Sequence, residues 1–401
     1  MIQRMYVGNL YPYLKMEQDK IFIIGGNHHN TLGVIRSLGY KGLKPIVLLV
    51  SDKIGKNNYV LRSKYISKFK SFINYQDVMD WLINNASENS GSVILCTSDG
   101  ASSAVDMNYD KLAATYHIPN AKKEGVINHF MNKEIMSELA RKIGMTVPPT
   151  YLYDHTNPLP KNIEFPCIIK PLLSIEGSKS DIKICNTFEE LNSFIKDTSH
   201  CERIQIQKFI EKDYEYQLIG CSLEGGKKVI IPGVSHVIRP SKCSNTGFLR
   251  YKSLDMTYPV KLAKKFIQEI GYSGLFSMEF LRDKNGKDYF MEINFRNDGN
   301  AICVTASGVN LPYIWYLANS NKSIEHEPMI LRKEVFVMPE FDDFVNVLKG
   351  KISLLSWIKA LRSTDCFMEY DHTDVSPFIM GLFNQTKNFI KIGFSKFHKK
   401  L

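Results

Sequence analysis

Four polar residues on two neighbouring stretches have the types and spacing to do chemistry together. In "DYFMEINFRN", residues 288–297, Glu292, Asn294 and Arg296 alternate with Met291, Ile293 and Phe295. Successive side chains of a strand point to opposite faces, so the three polar groups share one face and the three apolar ones the other. Upstream, "GLFSMEFL" (residues 274–281) carries Glu279 in an apolar run, and Asn285-Gly286 in the intervening "RDKNGK" favours a tight hairpin turn. Glu279 and Glu292 are therefore expected on adjacent strands, facing the same side. Two such carboxylates repel when both are ionised, and a divalent cation between them removes the conflict. Magnesium prefers hard oxygen ligands and commonly takes one or two carboxylates together with substrate phosphates. Asn294 offers an amide oxygen on the same face, and Arg296 points where a phosphate or acyl phosphate could sit. A plain ion pair, such as Glu292 with Arg296, is the alternative; the convergence of four polar groups favours the metal site.

Lys170 fits the same chemistry. It ends the apolar stretch "FPCIIKP" (165–171) and precedes "LLSIEGSKS" (172–180). A lysine there can hold phosphate as a point charge, and Gly177 lets backbone N–H groups approach closely. No G-x-x-x-x-G-K-[ST] motif is present.

The elements that must position these groups follow an α/β order. "IFIIGG" (21–26) reads as a strand ending in a glycine turn, "NTLGVIRSLGY" as a helix, and "KPIVLLV" (44–50) and "GSVILCTSD" (91–99) as further strands. Strands alternating with helices predict a parallel, doubly wound sheet. Gly25-Gly26 lacks full G-x-G-x-x-G spacing and reads as a tight turn. From about residue 125 the pattern changes. "NKEIMSELARKIGM" is an amphipathic helix carrying Ile135, Met136, Leu139, Ala140 and Ile143 on one face. Thr187 and Glu190 have capping-box spacing, "RIQIQKFI" (203–210) alternates, and "YEYQLIGCSL" and "KKVIIPGVSHVI" read as an antiparallel pair joined at Glu224-Gly225-Gly226.

At 401 residues the chain has room for two or three domains. Its 44% hydrophobic and 23% charged content is that of a globular protein, and its apolar runs are strand-length. The first twenty residues lack a signal-peptide pattern, and the eight scattered cysteines include no C-x-x-C pair, which suits reduced thiols in the cytoplasm. The net charge of +10 favours anionic partners. No base-stacking or groove-reading motif supports a nucleic acid among them.

Taken in order, "CIIKP", the small loop, "IQKFI", "YEYQLIG", "GLFSMEF", "MEINFR" and "TASGVNLP" resemble the ATP-grasp carboxylate–amine ligases, with the D-aspartate ligase and carbamoyl-phosphate-synthase-like branch the nearest in flavour; the likeness covers roughly residues 20–320. The resemblance implies an α/β and α+β chain. Residues 1–125 would form a Rossmann-like preATP-grasp domain, and 126–330 a two-lobed ATP-grasp domain with antiparallel sheets, its lobes at about 126–206 and 207–330. It implies ATP, with Mg2+ or alternatively Mn2+, held by Glu279, Glu292 and Asn294. Lys133 and Lys170 would contact phosphates beneath the 174–180 loop with Gly177 and Ser178. Gln207, Lys208, Phe209 and Ile210 would form the adenine hinge, Glu215 (with Glu211 as rival) would bind ribose, and Arg296 would stabilise the transferred phosphoryl group. Lys208 stands where the family often has glutamate, and Phe295 where it often has proline. The reaction implied activates a carboxylate as an acyl phosphate and joins it to an amine, with an amino acid or sugar-linked acceptor as small-molecule partner. The alternative is a non-catalytic nucleotide sensor or scaffold on the same fold.

An acceptor would bind near "GNHHN" (26–30) and "SDG" (98–100), at the carboxyl edge of the first sheet. His28 and His29 there read as substrate-facing or simply solvated, and Arg239 and Arg250 as candidate carboxylate clamps. Residues 331–401 end in "QTKNFIKIGFSKFHKKL", with five lysines and no acids. This basic amphipathic pattern suits either docking on the protein itself or peripheral contact with an anionic membrane, which would tie the enzyme to cell-envelope or polysaccharide synthesis. A homodimer is compatible with all of this.

Overall fold

In the computed structural model, the structure describes residues 20–52, 58–156, 158–171, 182–197, 203–241 and 246–398, leaving aside the side chains of Pro171, Asp197 and 387–398. Among these residues the strands form three sheets. The first is parallel, in the order β3-β2-β1-β4, from β1 (Ile21–Gly25), β2 (Ile46–Val50), β3 (Lys68–Phe72) and β4 (Val93–Cys96). All of β1 is buried, which is why it reads as an unbroken apolar run. A methyl group on Gly25 would collide with the hydroxyls of Thr97 and Thr31, so this glycine serves close packing at the sheet's carboxyl edge. The helix His29–Gly39 follows directly, its N-terminus capped by His28, whose Nδ1 accepts from the Asn30 amide.

The second sheet is antiparallel, in the order β5-β8-β6-β7, from β5 (Thr150–Tyr153), β6 (Cys167–Pro171), β7 (Lys183–Cys185) and β8 (Ile204–Lys208). Leu191, Phe194 and Ile195 of the helix Phe188–Asp197 cover one face against Cys167, Ile169, Ile204 and Ile206. The Thr187 hydroxyl accepts from the Glu190 amide, while Glu190 reaches back to the amide of Asn186 rather than Thr187.

The third sheet has eight strands in the order β14-β13-β9-β11-β12-β15-β16, with β10 on β9. Its strands are β9 (Lys212–Leu223), β10 (Lys228–Ile230), β11 (Val234–Pro240), β12 (Gly247–Lys252), β13 (Gly274–Asp283), β14 (Asp288–Asn294), β15 (Val335–Met338) and β16 (Cys366–Phe367). The stretch "KKVIIPGVSHVI", expected as one strand, is two. Proline has no N–H to donate, and the break falls at Pro232-Gly233. β13 and β14 form the expected hairpin, with Gly286 at φ 81° in its turn.

A register shift in that hairpin corrects one sequence expectation. Glu279 faces Glu292, but Phe280 faces Phe290, leaving Met291 as the extra residue of a bulge. Phe290, not Met291, therefore joins Ile293 and Phe295 in the core under the helix Val260–Ile270.

Chain beyond β14 stitches the parallel sheet to the large one. The Asn297 amide donates to Cys96 O at 3.0 Å, Ser102 Oγ to Phe295 O at 2.7 Å, and Trp315 Nε1 to Ile94 O at 3.1 Å. A second seam is made by Arg36, buried in the first helix. Its guanidinium donates to Asp374 Oδ2 (3.1 Å) and to the carbonyls of Met368, Glu369 and Asp374. The last helix, Val375–His398, lays Phe378 on Phe341 with ring centroids 5.2 Å apart. Its beginning is thus docked on the body of the protein, whereas the apolar stripe from Phe389 onward lies outside the described side chains. Among the described residues no helix is long and apolar enough to cross a membrane.

Candidate active site

The large sheet gathers the polar face read from the sequence. Glu279 on β13 stands between Glu292 on β14 and Gln217 on β9, its register partner on the other side. Its Oε1 accepts from Gln217 Nε2 at 3.3 Å and from Asn294 Nδ2 at 3.2 Å. Both donors are neutral amides, and Glu279 is buried. Burial first, then the neighbouring Glu292 and Asp298, push its carboxyl well above the usual carboxylate range, against the pull of Arg296 and Gln217. A carboxyl in this condition is one that a cation would return to the ionised state.

The donor set fits magnesium. Two facing carboxylates supply hard oxygens, and the nucleotide supplies the rest in such sites. Among the described residues, no group of three or more His, Cys, Asp or Glu side chains forms a closed metal cage. Asn294 donates to Glu279 and gives its Oδ1 to Arg296 Nη2 at 3.1 Å, so ligating a cation beside Glu279 requires its amide to turn over.

Arg296 is held by one acid from the parallel-sheet region and one from the loop after β14. Nε donates to Asp99 Oδ1 at 3.0 Å and Nη1 to Asp298 Oδ2 at 3.3 Å. Asp99 opens the helix Asp99–Asp106 at the carboxyl edge of the parallel sheet, the "SDG" position expected near the acceptor. Asp298 is itself fixed by Ser277 Oγ at 2.8 Å and the Asn300 amide at 2.8 Å. Gln217, Ser277, Asp298 and Asn300 complete this network, and sequence reading missed them. Their signal was weak: "RNDGN" merely follows the strand, and Ser277 and Gln217 look like isolated polar residues in apolar runs.

Lys170 ends β6 and donates to Gln207 Oε1 at 3.2 Å; Gln207 in turn donates to Thr150 Oγ1 at 3.1 Å. Burial lowers the Lys170 ammonium from its ordinary value, Lys133 adds to that, and Glu292 and Glu279 oppose it. The two lysines and two carboxylates of the sequence reading thus act on one another in space. Lys133 is the first residue of the helix Lys133–Lys142 behind its cap Asn132. Gln207 faces inward to Lys170. The hinge N–H groups of Lys208 and Phe209 bond to Pro149 O and Pro166 O, both at 2.9 Å, and Ile210 follows them, buried. Lys208 extends outward to Glu164. Glu215 lies two residues from Gln217 on β9, hence on the carboxylate face, paired with Lys212; Glu211 is exposed and paired with Lys284. Gly177 and Ser178 fall outside the described residues.

The expected carboxylate clamps are engaged elsewhere. Arg239 makes a two-point contact with Asp343 (2.8 and 2.6 Å), and Arg250 pairs with Glu334 at 2.6 Å.

A parallel amino-terminal sheet, a small antiparallel sheet with Lys170 near the end of β6, and a large, mostly antiparallel sheet presenting paired acids together constitute the ATP-grasp fold. No family model matches the chain. Its curated relatives include the formate-dependent phosphoribosylglycinamide formyltransferase of Bacteroides thetaiotaomicron, 24% identical over 204 residues, or 48% of this chain and 51% of that protein. The chain thus spans about half the length of the curated relatives it matches. Among solved structures it resembles the biotin carboxylase domain of Hydrogenobacter thermophilus 2-oxoglutarate carboxylase, in complex with MgADP, ADP and bicarbonate (TM-score 0.62, 15% identity, 80% of this chain and 74% of that one). It also resembles an L-amino acid ligase from Bacillus licheniformis (TM-score 0.59, 15% identity, 80% and 79%).

Proposed function

We propose that the protein is an ATP-dependent ligase, which activates a carboxylate as an acyl phosphate with release of ADP and joins it to an amine. The observation that carries this reading is the register of Glu279 against Glu292, with Lys170 and Arg296 acting on the same face. Residues 1–125 would supply the acceptor edge, 126–330 the nucleotide cleft and 331–401 a closing segment.

Glu279, Glu292 and, after its amide turns, Asn294 would hold Mg2+ (or Mn2+), which supplies charge neutralisation to the ATP phosphates. Lys133 and Lys170 would hold the phosphates as point charges, with Gly177 and Ser178 as further phosphate contacts. Backbone groups of the Gln207–Ile210 hinge other than the N–H groups held by Pro149 and Pro166 would face adenine, and Glu215 would take the ribose hydroxyls. Arg296, held by Asp99 and Asp298, meets the transferred phosphoryl group as the substrate carboxylate attacks. Little covalent work falls to the protein in such a transfer; positioning and fixed charge dominate. The partners are then small molecules, an amino acid or a sugar-linked acid among them, in the cytoplasm. Homodimerisation, peripheral membrane contact through the basic tail and a place in envelope or polysaccharide synthesis are further parts of the proposal.

An ADP-release screen over amino acids and sugar-linked carboxylates, each with and without an amine, tests it. Carboxylate-dependent ADP release that Glu292→Gln removes is the expected result. Nucleotide binding without turnover under any condition would turn the reading to a nucleotide sensor.

A further inference from the structure

The carboxyl-terminal helices carry an apolar face that the scheme above leaves unused. The helix Leu354–Arg362 and the last helix, Val375–His398, both rest on the helix Glu340–Leu348. Trp357 packs on Phe344 with ring centroids 5.0 Å apart, and Phe378 packs on Phe341. Phe341 and Phe344 are three positions apart and so share one side of their helix. Gly381 also lies against Phe341, where an added methyl group would come within 2.7 Å of the ring. These contacts engage one edge of each outer helix.

Apolar residues on the other edge face solvent. The helix Leu354–Arg362 buries none of its residues, and Leu354 and Leu355 are 52% and 74% exposed. On the last helix Ile379, Leu382 and Phe383 share one side and are 50%, 45% and 72% exposed. Single exposed apolar residues are ordinary, but two sets of them on helices with a common support mark an interaction surface. The charge beside them is all of one sign. From Lys349 to Thr364 the basic residues are Lys349, Lys351, Lys359 and Arg362, with no acid among them. Lys359 and Arg362 are exposed one and two turns along from Leu355, on its side of the helix. From Val375 to Leu401 the chain has five lysines and again no acid.

We infer that these two helices form a docking face for an anionic lipid surface, with Leu354, Leu355, Ile379 and Phe383 entering the boundary between headgroups and acyl chains. Lys359 and Arg362 would meet the headgroups. Large apolar residues with lysine and arginine beside them suit a helix that lies in such an interface and does not cross it. A second copy of the chain fits less well, because two such faces in contact would bring like charges together. The inference rests on the membrane contact proposed above, moves it from the tail to residues 354–383, and is independent of the ligase chemistry. The segment between the two helices is fastened to the first helix by Arg36, which donates to the carbonyls of Met368, Glu369 and Asp374. The docking face is thereby joined to the parallel-sheet region, where an acceptor is expected.

The test is co-sedimentation of the full-length protein with vesicles of phosphatidylcholine alone and of phosphatidylcholine mixed with phosphatidylglycerol. The wild type should bind the mixed vesicles and not the neutral ones, and salt should weaken that binding by screening the basic groups. Leu354→Ser combined with Leu355→Ser should weaken it at least about 10-fold, since two leucines lose their burial in the bilayer. The melting temperature should hold, because both side chains are exposed in the free protein. Phe383→Ser should weaken binding in the same way, and Lys359→Glu with Arg362→Glu should remove the preference for the anionic vesicles. No binding by the wild type overturns the inference. So does unchanged binding in the double leucine variant, which would leave the tail as the anchor. A dimer that the double leucine variant splits, seen by sedimentation equilibrium without vesicles, would make the face a contact between copies and also overturn it. ADP release is read apart, in vesicle-free solution; its failure would end the ligase reading and leave the vesicle result standing.

Discussion

Two pairs of neighbouring acids can be compared. Glu340 and Glu369 lie at the seam with the carboxyl-terminal segment, Glu279 and Glu292 on the large sheet. Glu340 accepts backbone N–H groups from Met368, Glu369 and Tyr370, so it is built into the fold. Glu279 accepts from two side-chain amides and faces another carboxylate. Glu340 shows how backbone N–H groups hold a buried acid in the fold. Glu279 shows a buried acid set against another carboxylate on one face of a sheet, a conflict that a cation would relieve.

The largest expected effect is on turnover. Glu292→Gln or Lys170→Ala should reduce ATP turnover at least ~1000-fold, measured as ADP release, because each removes fixed charge from the phosphate end. Glu279→Gln should do the same and yet raise the melting temperature of the ligand-free protein by a few degrees, since it removes the conflict with Glu292. A fall in melting temperature there would break the contrast between the pairs. The seam should behave oppositely: Arg36→Met leaves Asp374 buried and unpaired and should cost about 3–5 kcal/mol in chemical denaturation. The third effect is a pH dependence. Glu369 binds its proton more tightly folded than unfolded, so its contribution favours folding at low pH and is lost as pH rises from the ordinary carboxylate value to about 7. Glu369→Gln should flatten that slope in melts across pH 4.5–7. The smallest effect belongs to Lys208→Ala: its pairing with Glu164 is solvent-exposed and screened, so the melting temperature should hold and ADP release should be retained.

Much of the candidate site was legible because strand periodicity and turn chemistry are local. Glu279, Glu292 and Asn294 could be placed on one face from alternation and Asn285-Gly286 alone. Lys170 could be placed at a strand end from its apolar run. The bulge at Met291 was not legible, since an extra residue in one strand is decided by the partner it faces. Nor were the fates of Arg239 and Arg250, whose partners Asp343 and Glu334 lie 104 and 84 residues further along the chain.

By itself the sequence determined the strands, their polar faces and the pairing of two acids across a hairpin, because each depends on neighbours a few residues apart. Tertiary structure alone decided that Asp99 reaches Arg296 and that His29 meets Glu369. Those contacts join segments separated by 197 and 340 positions. No local pattern encodes a distance that only the packing of three sheets sets.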